Sequence, residues 1–287
     1  MFNANIKEKA INKLKESAEN YNKSLDKVRF ESEALFRVRT YASNELIVNI
    51  EGYINKLANK PKGFSKEFKE VCADFISFNH YIDDLRKDAK QTEYTAGSTT
   101  GAGVLMGAGV AALGPSAAVA IATTFGTAST GTAIAALSGA AASNAALAWL
   151  GGGALVAGGG GMAAGEALLM LAGPVGWGIA AVAVVGGGLW YRGKNEVIAK
   201  EANAKKIEID GYRREREAMA IAINRLTTFT QNEIDGINIL FSNLSASGLT
   251  DYQQFNSNQK DALQAMVNHT HVLGQLLKKL PEGAVQS

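Results

Sequence analysis

From Ile11 onwards, apolar residues fall at three- and four-residue steps: Ile11, Leu14, Ala18, Tyr21, Leu25, Val28 and Leu35, resuming at Leu46, Ile50, Ile54 and Leu57. That spacing marks one face of a helix. No proline or glycine occurs from Met1 to Glu51, so the pattern predicts one long helix, or two in line, over 4–59. About 55 residues at about 1.5 Å each would reach about 80 Å, and such a face requires a helical partner. Asn59-Lys60-Pro61-Lys62-Gly63 ends it with breaker chemistry. A second helix is expected from Ser65. Phe64, Phe68, Val71, Cys72, Phe75, Phe78, Ile82 and Leu85 form a broad stripe that reads as bundle core.

Helical steps return from Lys194 to Phe241, through Ile198, Ala202, Ile209, Tyr212, Met219, Ile223, Leu226, Phe229 and Ile237. A turn is expected at Ser245–Gly248. A last helix follows over Asp251–Leu280, with Phe255, Leu263, Met266, Val267, Leu273, Leu276 and Leu277 inward and Pro281 as its stop. Neither flank shows strand-like alternation. The predicted fold class is all-α, with four or more amphipathic helices able to form a bundle around or beside a Gly/Ala-rich hydrophobic hairpin region.

Charge divides the chain into three. Residues 95–191 carry one Asp, Glu, Lys or Arg, namely Glu166, and hold 23 of the 31 glycines. Residues 1–94 contain 17 Lys/Arg and 15 Asp/Glu; residues 192–287 contain 12 and 11. Both flanks are thus nearly neutral, which argues against a nucleic-acid partner. Cys72 is the single cysteine, so an intramolecular disulfide and a thiolate-rich metal site are excluded. Met1–Lys15 lacks the apolar core of a signal peptide. The expectation is synthesis in the cytoplasm, membrane association and, for any export, a route other than the general one.

Three apolar stretches make up the middle: Val104–Phe125, Ala133–Ala157 and Leu168–Trp190. Each exceeds the roughly 20 residues that cross a bilayer core. Trp190 and Tyr191, followed by Arg192 and Lys194, suit a membrane interface. Glycines four apart, at Gly97/Gly101, Gly103/Gly107 and Gly161/Gly165, allow close helix contact in lipid. These glycines, with Trp149, Trp177 and Trp190, are the candidate insertion and packing residues. Glu166, an ionisable group inside the tract, is a candidate pore-lining or pH-sensing residue; the competing reading is a hairpin tip that stays wet. The tract is only marginally hydrophobic. Leu168–Trp190 holds nine Leu, Ile or Val residues, worth about −3 to −5 kcal/mol on insertion scales. A tract of that strength suits conditional insertion: shielded by the flanks in water, then released.

Catalytic chemistry is not expected. Gly188-Leu189-Trp190-Tyr191-Arg192-Gly193-Lys194-Asn195 has the glycines and lysine of a phosphate loop. Asn195 stands where a magnesium-binding hydroxyl is needed, and Trp190 and Tyr191 fill the loop. His80, Asp83 and Asp84 share a helix face but read as solvated; His269 and His271 diverge. No nucleophile, base and orienter can be grouped, and no cofactor is implied.

The run Ser138–Gly153, continuing through Gly158–Gly161 to Ala172-Gly173-Pro174, resembles the glycine-zipper tracts of bacterial membrane-active proteins. The layout is similar to apolipoprotein L-like and colicin-like pore-forming proteins. At the level of residues the resemblance covers about a third of the chain, and elsewhere the architecture only. It implies membrane insertion and pore formation or permeabilisation, with a lipid bilayer as partner and a homo-oligomer or a helical protein alongside. Two alternatives stand. One is a membrane-anchored helical scaffold of a membrane-remodelling machine. The other is a soluble helical interaction protein with a buried Gly/Ala hairpin.

Overall fold

The computed structural model describes residues 2–61, 63–96, 119–121, 123–124 and 195–282. Helix α1 (Phe2–Tyr41) passes through a π-helical turn (Ala42–Leu46) into α2 (Ile47–Lys56). Helix α3 spans Phe64–Ala96, α4 spans Asn195–Ala246 and α5 spans Ser257–Lys278. The fold is all-α. Among the described residues the only β-type pairing is an isolated parallel bridge between Ala58 and Asp251.

Helix α1 packs along α4, and the two run parallel. Ser17 Oγ donates to Asp210 Oδ1 at 2.6 Å, and Asn224 Nδ2 donates to Glu31 Oε2 at 2.9 Å; each pair is 193 residues apart. At the far end, Ala58 N donates to Thr250 O at 2.7 Å and Tyr252 N to Ala58 O at 2.9 Å. A constant difference in residue number along the seam requires parallel helices; antiparallel helices would keep the sum constant instead.

The seam follows a seven-residue repeat. On α4, Ala202, Ile209, Arg216, Ile223, Thr230, Ile237 and Leu244 are all buried; on α1, Leu14, Tyr21, Val28 and Leu35 are, and Ala42 continues the repeat at the start of the π turn. A repeat of seven corresponds to 3.5 residues per turn, so partner-facing positions stay aligned over a long distance by coiling. Small polar residues fill gaps in it: Ser17, Ser24 and Ser32 are buried.

At one end, here the head, α3 and α5 fold back and complete a four-helix core. Leu46, Ile50, Ile54, Phe68, Phe75, Ile82, Ile234, Ile237, Leu263, Met266 and Leu273 meet there. The π turn sits where the two-helix seam becomes that core. One extra residue per turn changes the phase of the stripe, from Leu35 and Ala42 to Leu46, Ile50, Ile54 and Leu57, all buried. Asn79 Nδ2 on α3 donates to Ser43 O within the turn at 3.0 Å, so this carbonyl does not go unmet. At the other end, the tail, Ala10, Leu14, Ala18 and Tyr21 pack on Ile198, Ala199, Ala202 and Ile209.

Local signals set the ends. Helix α4 continues through Ser245, where a turn is expected from sequence, and stops at Ala246. Gly248 follows at φ 66°, the left-handed conformation that closes a helix and suits glycine. Helix α5 begins later than expected, because Tyr252–Gln254 forms a 3-10 turn. Asn256 and Gln259 then form a reciprocal capping box that fixes its start. Phe229, expected inward, is 60% exposed, and neighbouring Thr230 takes the seam position. Its hydroxyl donates to Leu226 O at 2.8 Å, which lets a polar residue sit in the dry seam.

Candidate functional site: the central tract and its contact with the bundle

The candidate residues Gly97, Gly101, Gly103, Gly107, Gly161, Gly165, Trp149, Trp177, Trp190 and Glu166 lie outside the described residues. Their attachment points are described. Helix α3 ends at Ala96 and α4 begins at Asn195. By the 193-residue register, Asn195 is level with the start of α1. Helix α3 runs from the head back toward that end, for about 50 Å at 33 residues. The tract is therefore tethered on the tail side of the head.

One piece of the tract is described, and it is helical and buried: Val119, Ala120, Ile121, Thr123 and Thr124. Thr123 and Thr124 hydroxyls both donate to Ala120 O, at 2.9 and 2.7 Å. The two polar side chains are thereby satisfied within their own turn. The Thr123 carbonyl accepts from Arg39 Nη1 at 3.0 Å.

Arg39 is fully buried. Its Nη2 donates to Leu276 O at 2.8 Å and to Lys279 O at 2.5 Å, at the end of α5. Loss of water pushes its pKa down to about 9, partly opposed by the neighbouring Tyr81 hydroxyl; at neutral pH the group remains a cation. Burial raises the Tyr81 pKa, with Arg39 lowering it in return. A second buried arginine, Arg216, meets Tyr21 across the seam. Burial raises the Tyr21 pKa and the Arg216 charge opposes the rise. Sequence reasoning missed both arginines. The signal was present: Arg216 occupies the seventh-residue position between Ile209 and Ile223, and Arg39 falls four residues after Leu35 on the same face.

The other candidates separate in space. His80 and Asp83 are exposed, Asp83 pairs with Arg86 at 3.7 Å, and the Asp84 and Leu85 side chains lie outside the described residues. His269 faces Glu233 at 2.7 Å, whereas His271 meets Gln275 at 3.0 Å. Cys72 is buried in the head core, where burial pushes its thiol pKa up to about 11. No group of three or more His, Cys, Asp or Glu able to hold a metal occurs among the described residues. No helix among them is long and apolar enough to cross a membrane. No family model, curated protein or solved structure matches the chain.

Proposed function

We propose that this chain is a membrane-inserting, membrane-disrupting helical effector with no enzymatic role, and that its flanking helices hold the central tract until it meets a bilayer. The observation that carries this reading is the tract itself: residues 95–191 have Glu166 as their sole Asp, Glu, Lys or Arg and place glycines four apart. The likeness in layout to colicin-like and apolipoprotein L-like proteins agrees with it. Storage is supported by Val119, Ala120 and Ile121, which are buried rather than offered to water. A fully exposed tract of this length would exceed the apolar patch of an ordinary soluble surface. The glycine pairs would bring inserted helices into close contact, and Glu166 would line a pore or require protonation on entry.

The test is dye release from lipid vesicles, together with carbonate extraction of membranes from expressing cells. Release by the full chain, and loss of both binding and release on deleting Ala133–Trp190, are expected. A deletion variant that folds and still binds membranes would move the activity to the flanks. A second reading, a membrane-anchored scaffold, is favoured by the parallel seam of α1 and α4, a rod of about 80 Å. It predicts carbonate-resistant binding without dye release.

A further inference from the structure

Arg39 is the point at which α1, the end of α5 and the central tract meet through one side chain. A guanidinium holds its donors in a rigid plane. Here that plane serves Thr123 O at 3.0 Å, Leu276 O at 2.8 Å and Lys279 O at 2.5 Å. We infer that Arg39 is a latch that fastens the described residues of the tract, 119–121 and 123–124, to the bundle, and that its release precedes transfer of the tract to a bilayer. The second half of this inference rests on the membrane reading above.

Three observations support the latch. First, Val119, Ala120 and Ile121 are buried, and apolar contact alone would hold them without fixing their position. The Arg39–Thr123 bond supplies a fixed register. Second, Thr123 and Thr124 spend their hydroxyls on Ala120 O. The segment therefore presents its Thr123 carbonyl, not a side chain, to the cation, and a buried carbonyl needs a donor. Third, Arg39 is an expensive choice for packing. A buried cation carries a large desolvation penalty, offset only while its hydrogen bonds are intact. Departure of Thr123 leaves Nη1 without this acceptor in a dry site and weakens the hold on Leu276 and Lys279. The tract and the end of α5 are thus coupled through one group, and the contact lets go as a unit.

The test uses the full chain carrying Thr123→Cys, with and without Arg39→Met, and maps maleimide labelling by peptide mass. Native Cys72, buried in the head, reports global opening in the same sample. The latch predicts labelling at position 123 faster by about tenfold or more in the Arg39→Met chain, the loss expected of one strong hydrogen bond, with Cys72 labelling unchanged. Equal rates at position 123 overturn it. Flotation with phosphatidylcholine–phosphatidylglycerol vesicles is measured in parallel. Faster labelling with greater flotation supports the whole inference. Faster labelling with no flotation of either chain supports the latch and overturns the membrane reading. If Arg39→Met does not fold, amide exchange of the parent chain decides: exchange at 119–124 together with the end of α5 supports the latch, and exchange there at the rate of an unstructured peptide overturns it.

Discussion

The head and the tail of the molecule use the same two long helices in different ways. In the head, α2, α3, α4 and α5 surround a core of large side chains, with Phe68, Phe75 and Ile82 facing Leu263, Met266 and Leu273. In the tail, among the described residues, α1 and α4 meet alone, through Leu14, Ile198 and Ile209 set among alanines and serines, with one Tyr21–Arg216 layer. Stability per residue follows apolar area removed from water, so the head anchors the fold and the tail is the part that opens first. The difference teaches where a conditional device can be built. The charge-poor tract is tethered on the weaker side, while the hydrogen bond from Arg39 to Thr123 ties it toward the stronger.

The largest effect expected is in the head. Phe75→Ala removes a ring that is 1% exposed and should cost about 3–5 kcal/mol, read as a lower denaturant midpoint. In the tail, Leu14→Ala should cost about 2–3 kcal/mol, since a two-helix seam can close partly over the gap. Amide exchange should then quicken at α1 and the start of α4 but not in α3 or α5. Equal quickening everywhere would mean that head and tail are one cooperative unit, and the comparison would fail.

Glycines sharpen it further. An added Cβ at Gly274 would stand 3.3 Å from Asp74 Cβ and from Phe75 Cε2, whereas one at Gly211 would meet nothing within 4 Å. Gly274→Ala should therefore destabilise by about 1 kcal/mol through overpacking. Gly211→Ala should stabilise by about 0.5–1 kcal/mol through helix propensity alone. A thermal melt of each resolves the sign.

The smallest effect is electrostatic. Lys206, then Ser17, hold the Asp210 carboxyl below its usual 3.8. A lowered carboxylate pKa stabilises the fold above the ordinary value and loses that contribution as pH falls through the lowered one. The parent chain should thus lose a few tenths of a kcal/mol below about pH 4, because the pair is partly exposed. Asp210→Asn should remove that part of the acid sensitivity.

Much of this was legible in the sequence. Leu14, Tyr21, Val28 and Leu35, and likewise Phe68, Phe75 and Ile82, are buried as their spacing requires, because helical periodicity follows directly from which side chains avoid water. The direction of pairing was not legible, since periodicity says that a face needs a partner but not which way the partner runs. Nor was Phe229 read correctly: residue type favours a phenylalanine over Thr230, and only the back-bonded hydroxyl of Thr230 reverses that. Arg39 and Arg216 look like surface residues until carbonyls and a phenol are seen around them. The candidate insertion residues, from Gly97 to Trp190, belong to a tract rich in glycine and alanine, whose small side chains carry little positional information.

The parallel course of α1 and α4 also fixes how the molecule responds to force. Phe2 and Asn195 start the two helices at the same end. Opposed pulls on Phe2 and Asn195 therefore load the seam in peeling geometry. Layers then separate in turn, Ala10 with Ala202 first, then Leu14 with Ile209, Tyr21 with Arg216 and Val28 with Ile223, and no more than one layer bears the load at a time. An antiparallel pair pulled between its two helix starts would be sheared, because those starts would lie at opposite ends, with every layer resisting together. A segment drawn away at the tail therefore needs only a small, steady tension to unpair the rod, and the advancing fork halts where the fourfold packing of the head begins.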